Sequence, residues 1–185
     1  MEAPEANLNG NVSMASSVTE FGIQVFAPYV QVVRQRSKED LKSIFEENRH
    51  RIYSLAFWMT DNEVTAEEVS SRVFSRAFSS RGKLDASAFD RYLISELREI
   101  APIGIVTLDA PATASRSVAG NTKRVHLERA VVQIPPTERM AFLLHDVEGY
   151  DHPAIAKTLG ITEDESKQAV FQAKILVRKL IAEMI

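Results

Sequence analysis

The sequence predicts an all-α protein: two small helical domains joined by a linker, the C-terminal one a helix-turn-helix. Three observations carry that prediction. Apolar residues recur at three- and four-residue intervals over long stretches, runs rich in β-branched residues are few, and the last quarter of the chain reads as two short helices joined by a tight turn. At 185 residues and 45% hydrophobic, the chain can bury one or two small cores.

Taken in order, residues 1–37 are low in charge and rich in Asn, Ser, Ala and Pro at their start, which predicts a partly disordered tail followed by an element of undefined type. Its first residues are acidic and polar, unlike a secretory signal. The apolar run from Phe21 to Val33 is broken by Gln24, Pro28 and Gln31, so no membrane insertion is expected and a cytoplasmic location is. Residues 38–100 hold three helical patterns. Leu41, Ile44, Phe45, Ile52, Leu55, Ala56 and Met59 mark the first, Val64, Val69, Val73, Phe74, Ala77 and Phe78 the second, and Phe89 to Ile100 the third. Two prolines, two glycines and several small residues make residues 101–122 a linker, in which the run Ile103–Leu108 reads as either a short strand or a segment held against a partner. Residues 123–185 start with a helix to Gln133 and a second one opened by Pro135-Pro136.

The pair of helices that follows is the most informative part. Asp151 caps the first, Pro153 is tolerated in its first turn, and Ile155, Ala156 and Leu159 give it an apolar stripe before Gly160 ends it. Thr162 starts the second, with Glu165 three residues later as a capping box and Ala169, Val170, Ala173, Leu176, Val177 and Leu180 as its apolar positions. Such a corner is one shape with which proteins enter the DNA major groove. The formal charge of -3 and a pI near 5.9 are not the footprint of a protein that grips DNA through its own phosphate contacts, so any DNA binding must be local or assisted. The absence of cysteine excludes disulfides, thiolate metal sites and cysteine nucleophiles, and suits a reducing compartment.

The stretch Ile134 to Gly149, with its proline-started helix, Arg139, apolar run and glycine turn, resembles the C-terminal domain of the extracytoplasmic-function (ECF) sigma factors of bacterial RNA polymerase. The likeness continues through Ile155-Ala156, Leu159-Gly160-Ile161 and the last helix. Phe45 to Trp58 resembles the first helix of that family's N-terminal domain, and Ala66 to Val69 with Val73-Phe74 its polymerase-binding helix. The resemblance implies that residues 38–100 dock on core RNA polymerase and help open the minus-ten element, that residues 123–185 read the minus-thirty-five element, and that an anti-sigma partner restrains the protein. No cofactor, no metal and no catalysis are implied. Polymerase would then supply most of the affinity, leaving this chain the few contacts that specify sequence.

Transferred residue by residue, the resemblance makes Lys167, Gln168 and Gln172, on the outer face of the last helix, base readers, followed by Lys174 and Arg178 on the same side. Arg139 becomes a phosphate contact. Arg81 and Lys83, with Leu84, fall in the loop where the family captures a minus-ten base, and Glu67, Glu68, Ser71 and Arg72 on the polymerase-binding helix. For each, the plainer alternative is a solvated surface side chain, and for the loop a simple turn at Gly82. Tyr53, Phe57 and Trp58 read as core packing in preference to a stacking platform.

Several positions depart from the family pattern. The last helix opens with Glu163-Asp164-Glu165, which favours the helix but repels phosphate, and has Ala169 and Gln172 where arginines are usual. Ser71 and Arg72 replace a glutamine and an acid, Tyr92 a tryptophan, Glu99 an asparagine, and Ala101-Pro102-Ile103-Gly104 a basic cluster. These departures motivate an alternative: a sigma-like interaction module that has lost promoter reading. A third reading, a metal-dependent enzyme, is raised by the two histidines and three carboxylates between His145 and His152, but their spacing matches no metal-binding helix.

Overall fold

The computed structural model describes residues 37–107 and 123–185. The tail reading therefore lies outside the described residues apart from Ser37, as does the linker reading from residue 108 to 122. Seven α-helices and no strand occur among the described residues. Leu41–Ile185 form one compact unit, in which the helical groups before and after the linker meet.

Helix α1 (Lys38–Thr60) opens on a reciprocal cap, with the Ser37 amide donating to Asp40 Oδ2 and the Asp40 amide to Ser37 Oγ, both at 3.0 Å. It buries Ile52, Leu55, Ala56 and Met59. Asp61, in the left-handed region at φ 51, turns the chain out of α1, and Asn62 at once caps α2 (Glu63–Ser79) by accepting from the Thr65 amide at 2.9 Å. Asp85 does the same for α3 (Ala86–Leu97) through the Ala88 amide at 3.0 Å. Helix α2 packs on α3, Phe74 and Phe89 lie 5.4 Å apart between ring centres, and Phe89 is fully buried. Burial of such a ring contributes about 1.5–3 kcal/mol.

The second group comprises α4 (Arg124–Val131), α5 (Pro136–Phe142), α6 (His152–Leu159) and α7 (Glu163–Met184). Helix α7 packs against the other three and buries Ala169, Val170, Ala173, Val177 and Ile181. Helix α5 does not stop at Phe142 but widens into a π-helical turn over Leu143–Val147, closed by the Glu148 amide donating to the Leu143 carbonyl at 3.1 Å.

The apolar run after α3 forms no strand over residues 103–107; its Leu108 lies outside the described residues. It is held against the chain's own helix α5. The amides of Gly104 and Ile105 donate to Thr137 Oγ1 at 3.0 and 3.1 Å, that hydroxyl donates to the Pro102 carbonyl at 3.2 Å, and the Thr107 amide donates to Glu138 Oε1 at 2.5 Å. Thr137 and Glu138 are both fully buried, so the segment supplies the partners that buried polar side chains require. Gly104, at φ +115, fits because an added Cβ would meet the Leu159 carbonyl oxygen at 3.3 Å.

Candidate nucleic-acid interface

The helix-turn-helix is built by local chemistry. Asp151 Oδ1 accepts from the Ala154 amide at 2.9 Å, Gly160 takes the left-handed conformation at φ 69 and ψ 35, and its amide bonds the Ala156 carbonyl. Thr162 and Glu165 complete a reciprocal capping box, with the Thr162 amide 2.7 Å from Glu165 Oε2 and the Glu165 amide 3.2 Å from Thr162 Oγ1. Those bonds hold the Glu165 carboxyl below its usual range. Both caps anticipated from the sequence are present.

Helix α7 presents Lys167, Gln168, Phe171 and Arg178 outward, with Phe171 52% exposed. Lys174 is half-buried, its Nζ 2.8 Å from Asp146. Gln172 departs from the outward placement expected of it: only 7% of it is exposed. Three helices pack on α7, so the covered arc extends past its apolar stripe and takes in this edge position. Lys167 pairs with Glu163 at 2.8 Å and with Asp164 at 3.4 Å, and the hydrogen bond to Glu163 raises its pKa. Glu163, Asp164, Glu165 and Glu183 balance Lys167, Lys174, Arg178 and Lys179, leaving the helix with no net charge.

Arg139 is placed differently from a phosphate-facing residue. Its guanidinium is half-buried and spends all five N–H donors on main-chain carbonyls: Nε and one terminal nitrogen on Ile134, that same nitrogen on Val132, and the other on Trp58 and Met59 at 3.2 Å each. Burial lowers its pKa and Asp61 partly offsets this. Two of those carbonyls close the last turn of α1, where helix acceptors lack partners and a cation is favoured.

Arg81 and Lys83 are exposed in the α2–α3 connection, Lys83 lying 3.8 Å from Asp85. Glu67, Glu68 and Ser71 are exposed on α2. Arg72 is exposed as well and bonds the buried Glu96 of α3 at 2.9 Å, and Arg76 reaches the same carboxylate at 2.5 Å. A groove of about 470 Å³ between α1 and α2 is lined by Phe45, Tyr53, Phe74 and Phe78 with Glu67 and Ser71 at its wall. Tyr53, Phe57 and Trp58 pack on the core while staying half-exposed.

In the segment raised as a metal cluster, the His145 and His152 rings stack with centres 4.9 Å apart. His145 Nδ1 lies 2.9 Å from Asp146 and His152 Nδ1 lies 3.1 Å from Ser166. Burial works to raise the Asp146 carboxyl, and the bonds from Lys174 and His145 outweigh it, so its pKa is lowered. Among the described residues no group of three histidines or carboxylates gathers in a way that could hold a metal ion. No helix of the described residues is long and apolar enough to cross a membrane.

Sequence reasoning missed one constellation. Arg51 of α1 donates to Asp90 Oδ1 of α3 at 2.7 Å, to Glu148, and to the Tyr150 hydroxyl at 3.1 Å, while that hydroxyl donates to Asp90 Oδ2 at 2.7 Å. The partners lie up to 99 residues apart, so no local pattern announces them. Burial lowers the Arg51 pKa, but Asp90 and Glu148 more than compensate and the value is raised. Burial and the bond to Asp90 push Tyr150 up to about 12.

Residues 124–176 match the family model described as sigma-70, region 4. The ECF RNA polymerase sigma factor SigE of Mycolicibacterium smegmatis is 21% identical over 156 residues, which cover 76% of this chain and 61% of that relative, so the match spans about three-fifths of the relative's length. The matched family segment runs from the start of α4 through the first two-thirds of α7 and contains the whole capped corner. The C-terminal helices thus match sigma-70 region 4, and over 156 residues the chain is similar to that ECF sigma factor.

Proposed function

We propose that the protein is an ECF-type sigma factor that joins core RNA polymerase and directs it to promoters, with α7 as the helix that inspects the minus-thirty-five element. The observation that carries this reading is the doubly capped helix-turn-helix within the sigma-70 region 4 match, presenting Lys167, Gln168 and Arg178 outward. On this reading Glu67, Glu68, Ser71 and Arg72 face polymerase, Arg81 and Lys83 lie near the minus-ten element, Lys174 and Gln172 flank the reading surface, and an anti-sigma protein is a partner. The protein works where polymerase does, in the cytoplasm. Its neutral reading helix and anionic whole fit a division of labour in which polymerase holds the phosphates and this chain discriminates bases. A run-off transcription assay with core polymerase and genomic DNA tests it: discrete transcripts that depend on the protein are expected, and failure to bind polymerase rejects it.

A second reading, the interaction module that no longer reads promoters, is favoured by the two acids neutralising Lys167, by the burial of Gln172 and by the full engagement of Arg139. Sequence-specific protection of a minus-thirty-five-like site by the polymerase complex, lost on changing Lys167 and Gln168 to Ala, argues against it.

A further inference from the structure

We infer that His145 and Asp146 are positioning residues for Lys174 of the reading helix, holding its ammonium off DNA at neutral pH and releasing it as a phosphate contact on acidification. The inference deepens the proposed function and rests on it for the phosphate contact, but not for the hold and its release.

Among the described residues, Lys174 is the one cation of α7 tied to a carboxylate outside the helix. Lys167 is paired with Glu163 and Asp164, and Lys179 lies 4.0 Å from Glu183, all within α7. Lys174 Nζ instead lies 2.8 Å from Asp146 Oδ1 on the π-helical turn. The same oxygen is 2.9 Å from His145 Nδ1, so one acceptor serves two donors. A ring nitrogen this close to a carboxylate carries a hydrogen whether the imidazole is neutral or charged, so the contact survives protonation. What changes is the charge that Lys174 faces. Beside a neutral ring it pairs with a full carboxylate, whereas beside an imidazolium it faces a neutralised ion pair and a second cation within about 6 Å. Imidazole is the side chain whose charge ordinarily changes between about pH 5 and 8.

The surroundings keep the response to a single proton. The His152 ring stacks on His145 with centres 4.9 Å apart, and its Nδ1 lies 3.1 Å from the buried Ser166 hydroxyl of α7. Two cations at that spacing repel, and of the two rings only His145 faces a carboxylate. The other charged groups of the turn and of α5 and α6 are engaged elsewhere. Glu148 bonds Arg51, Glu138 the Thr107 amide, Arg139 the main chain at the end of α1 and Asp151 the Ala154 amide, while Lys157 lines a groove with Asp85. The side chains of His145, Asp146 and Lys174 keep 32%, 28% and 37% of their surface exposed, enough to exchange protons with solvent and to let the freed ammonium swing outward. Because α7 has no net charge, one released ammonium is a large change in its attraction for phosphate.

Nuclear magnetic relaxation of the Lys174 side-chain carbons in the free full chain tests the hold, with both histidine rings followed in the same sample. From about pH 8 to about pH 5.5 the order of that side chain should fall as His145 gains its proton, and in His145→Gln it should stay constant. Asp146→Asn should leave Lys174 mobile at both values. Promoter binding by the polymerase complex tests the release. Its slope of log affinity against log salt should steepen by about 0.9 at the lower pH, the mark of one added phosphate contact. The steepening should vanish in His145→Gln and in Lys174→Gln, and Asp146→Asn should show the steeper slope at both values. The inference is overturned if Lys174 keeps its order in the unmutated chain at low pH, if it loosens equally in His145→Gln, or if the slope ignores pH. Should His145→Gln not fold, the unmutated chain and Asp146→Asn decide. Failure to bind polymerase would defeat the proposed function, while the free chain would still decide whether His145 governs Lys174.

Discussion

Replacing Arg139 separates a structural arginine from a phosphate-binding one. In Arg139→Ala, four carbonyls lose a charged donor. Those of Trp58 and Val132 belong to half-exposed residues and can be rehydrated, whereas Ile134 is fully buried and Met59 is 7% exposed. Leaving a buried acceptor unsatisfied costs about 1–3 kcal/mol. Two such acceptors, together with the loss of a cation at the end of α1 and minus the relief of desolvating a guanidinium, give a net cost of about 3 kcal/mol. For a unit of this size that corresponds to a melting point lower by roughly 6–12 °C. Urea unfolding followed by circular dichroism measures it, and the midpoint should fall with an unchanged slope. A variant within about 0.5 kcal/mol of the parent, whose promoter complex instead loses about 0.9 from its salt-dependence slope, would refute the argument and restore Arg139 as a phosphate contact.

Phe89→Ala empties the fully buried site beside Phe74 and should cost about 3–5 kcal/mol in the same unfolding measurement. Thr162→Ala removes the hydroxyl that receives the Glu165 amide and should cost about 1 kcal/mol, with amide exchange accelerated first at the start of α7. Tyr150 keeps its proton in the folded chain from its ordinary value of 10 up to about 12, where the unfolded chain has lost it, so the folded state binds more protons in that window. Its contribution to stability is therefore complete below pH 10 and is lost as pH rises toward 12. An ultraviolet phenol titration should show one late-titrating tyrosine that disappears in Tyr150→Phe.

The local chemistry of the fold was legible in the sequence, and its long-range chemistry was not. Asp151, Gly160, Thr162 and Glu165 announce their caps because each acts on a backbone group within four residues of itself. The apolar positions of α2 and α7 follow the same helical period, and the buried residues Val69, Val73, Ala169 and Val177 lie where that period puts them. Gln172 was misplaced because periodicity shows where a helix is apolar, not how wide an arc its neighbours cover. Arg139 was read as an outward charge, yet the acceptors that claim it include Trp58 and Met59, some 80 residues away. Arg51, Asp90, Glu148 and Tyr150 share no local sequence pattern that would join them. Only the meeting of α1, α3 and the turn after α5 makes them a cluster. The π-helical turn left no sign in the sequence, since Leu143–Val147 continues a normal apolar pattern. The run Ile103–Leu108 was read as a short strand or a segment held against a partner; its described part, residues 103–107, lies against the chain's own helix α5, where the buried side chains of Thr137 and Glu138 accept from its amides.

The central claim is that this chain reads promoter sequence on behalf of a larger machine. Its most direct test is footprinting of a promoter library by core polymerase, with and without the full-length protein. Protection of a defined minus-thirty-five-like sequence that requires both components, and vanishes when Lys167 and Gln168 are both changed to Ala, is the predicted result. Selective protection by this chain without polymerase, or polymerase footprints indifferent to its presence, would contradict it.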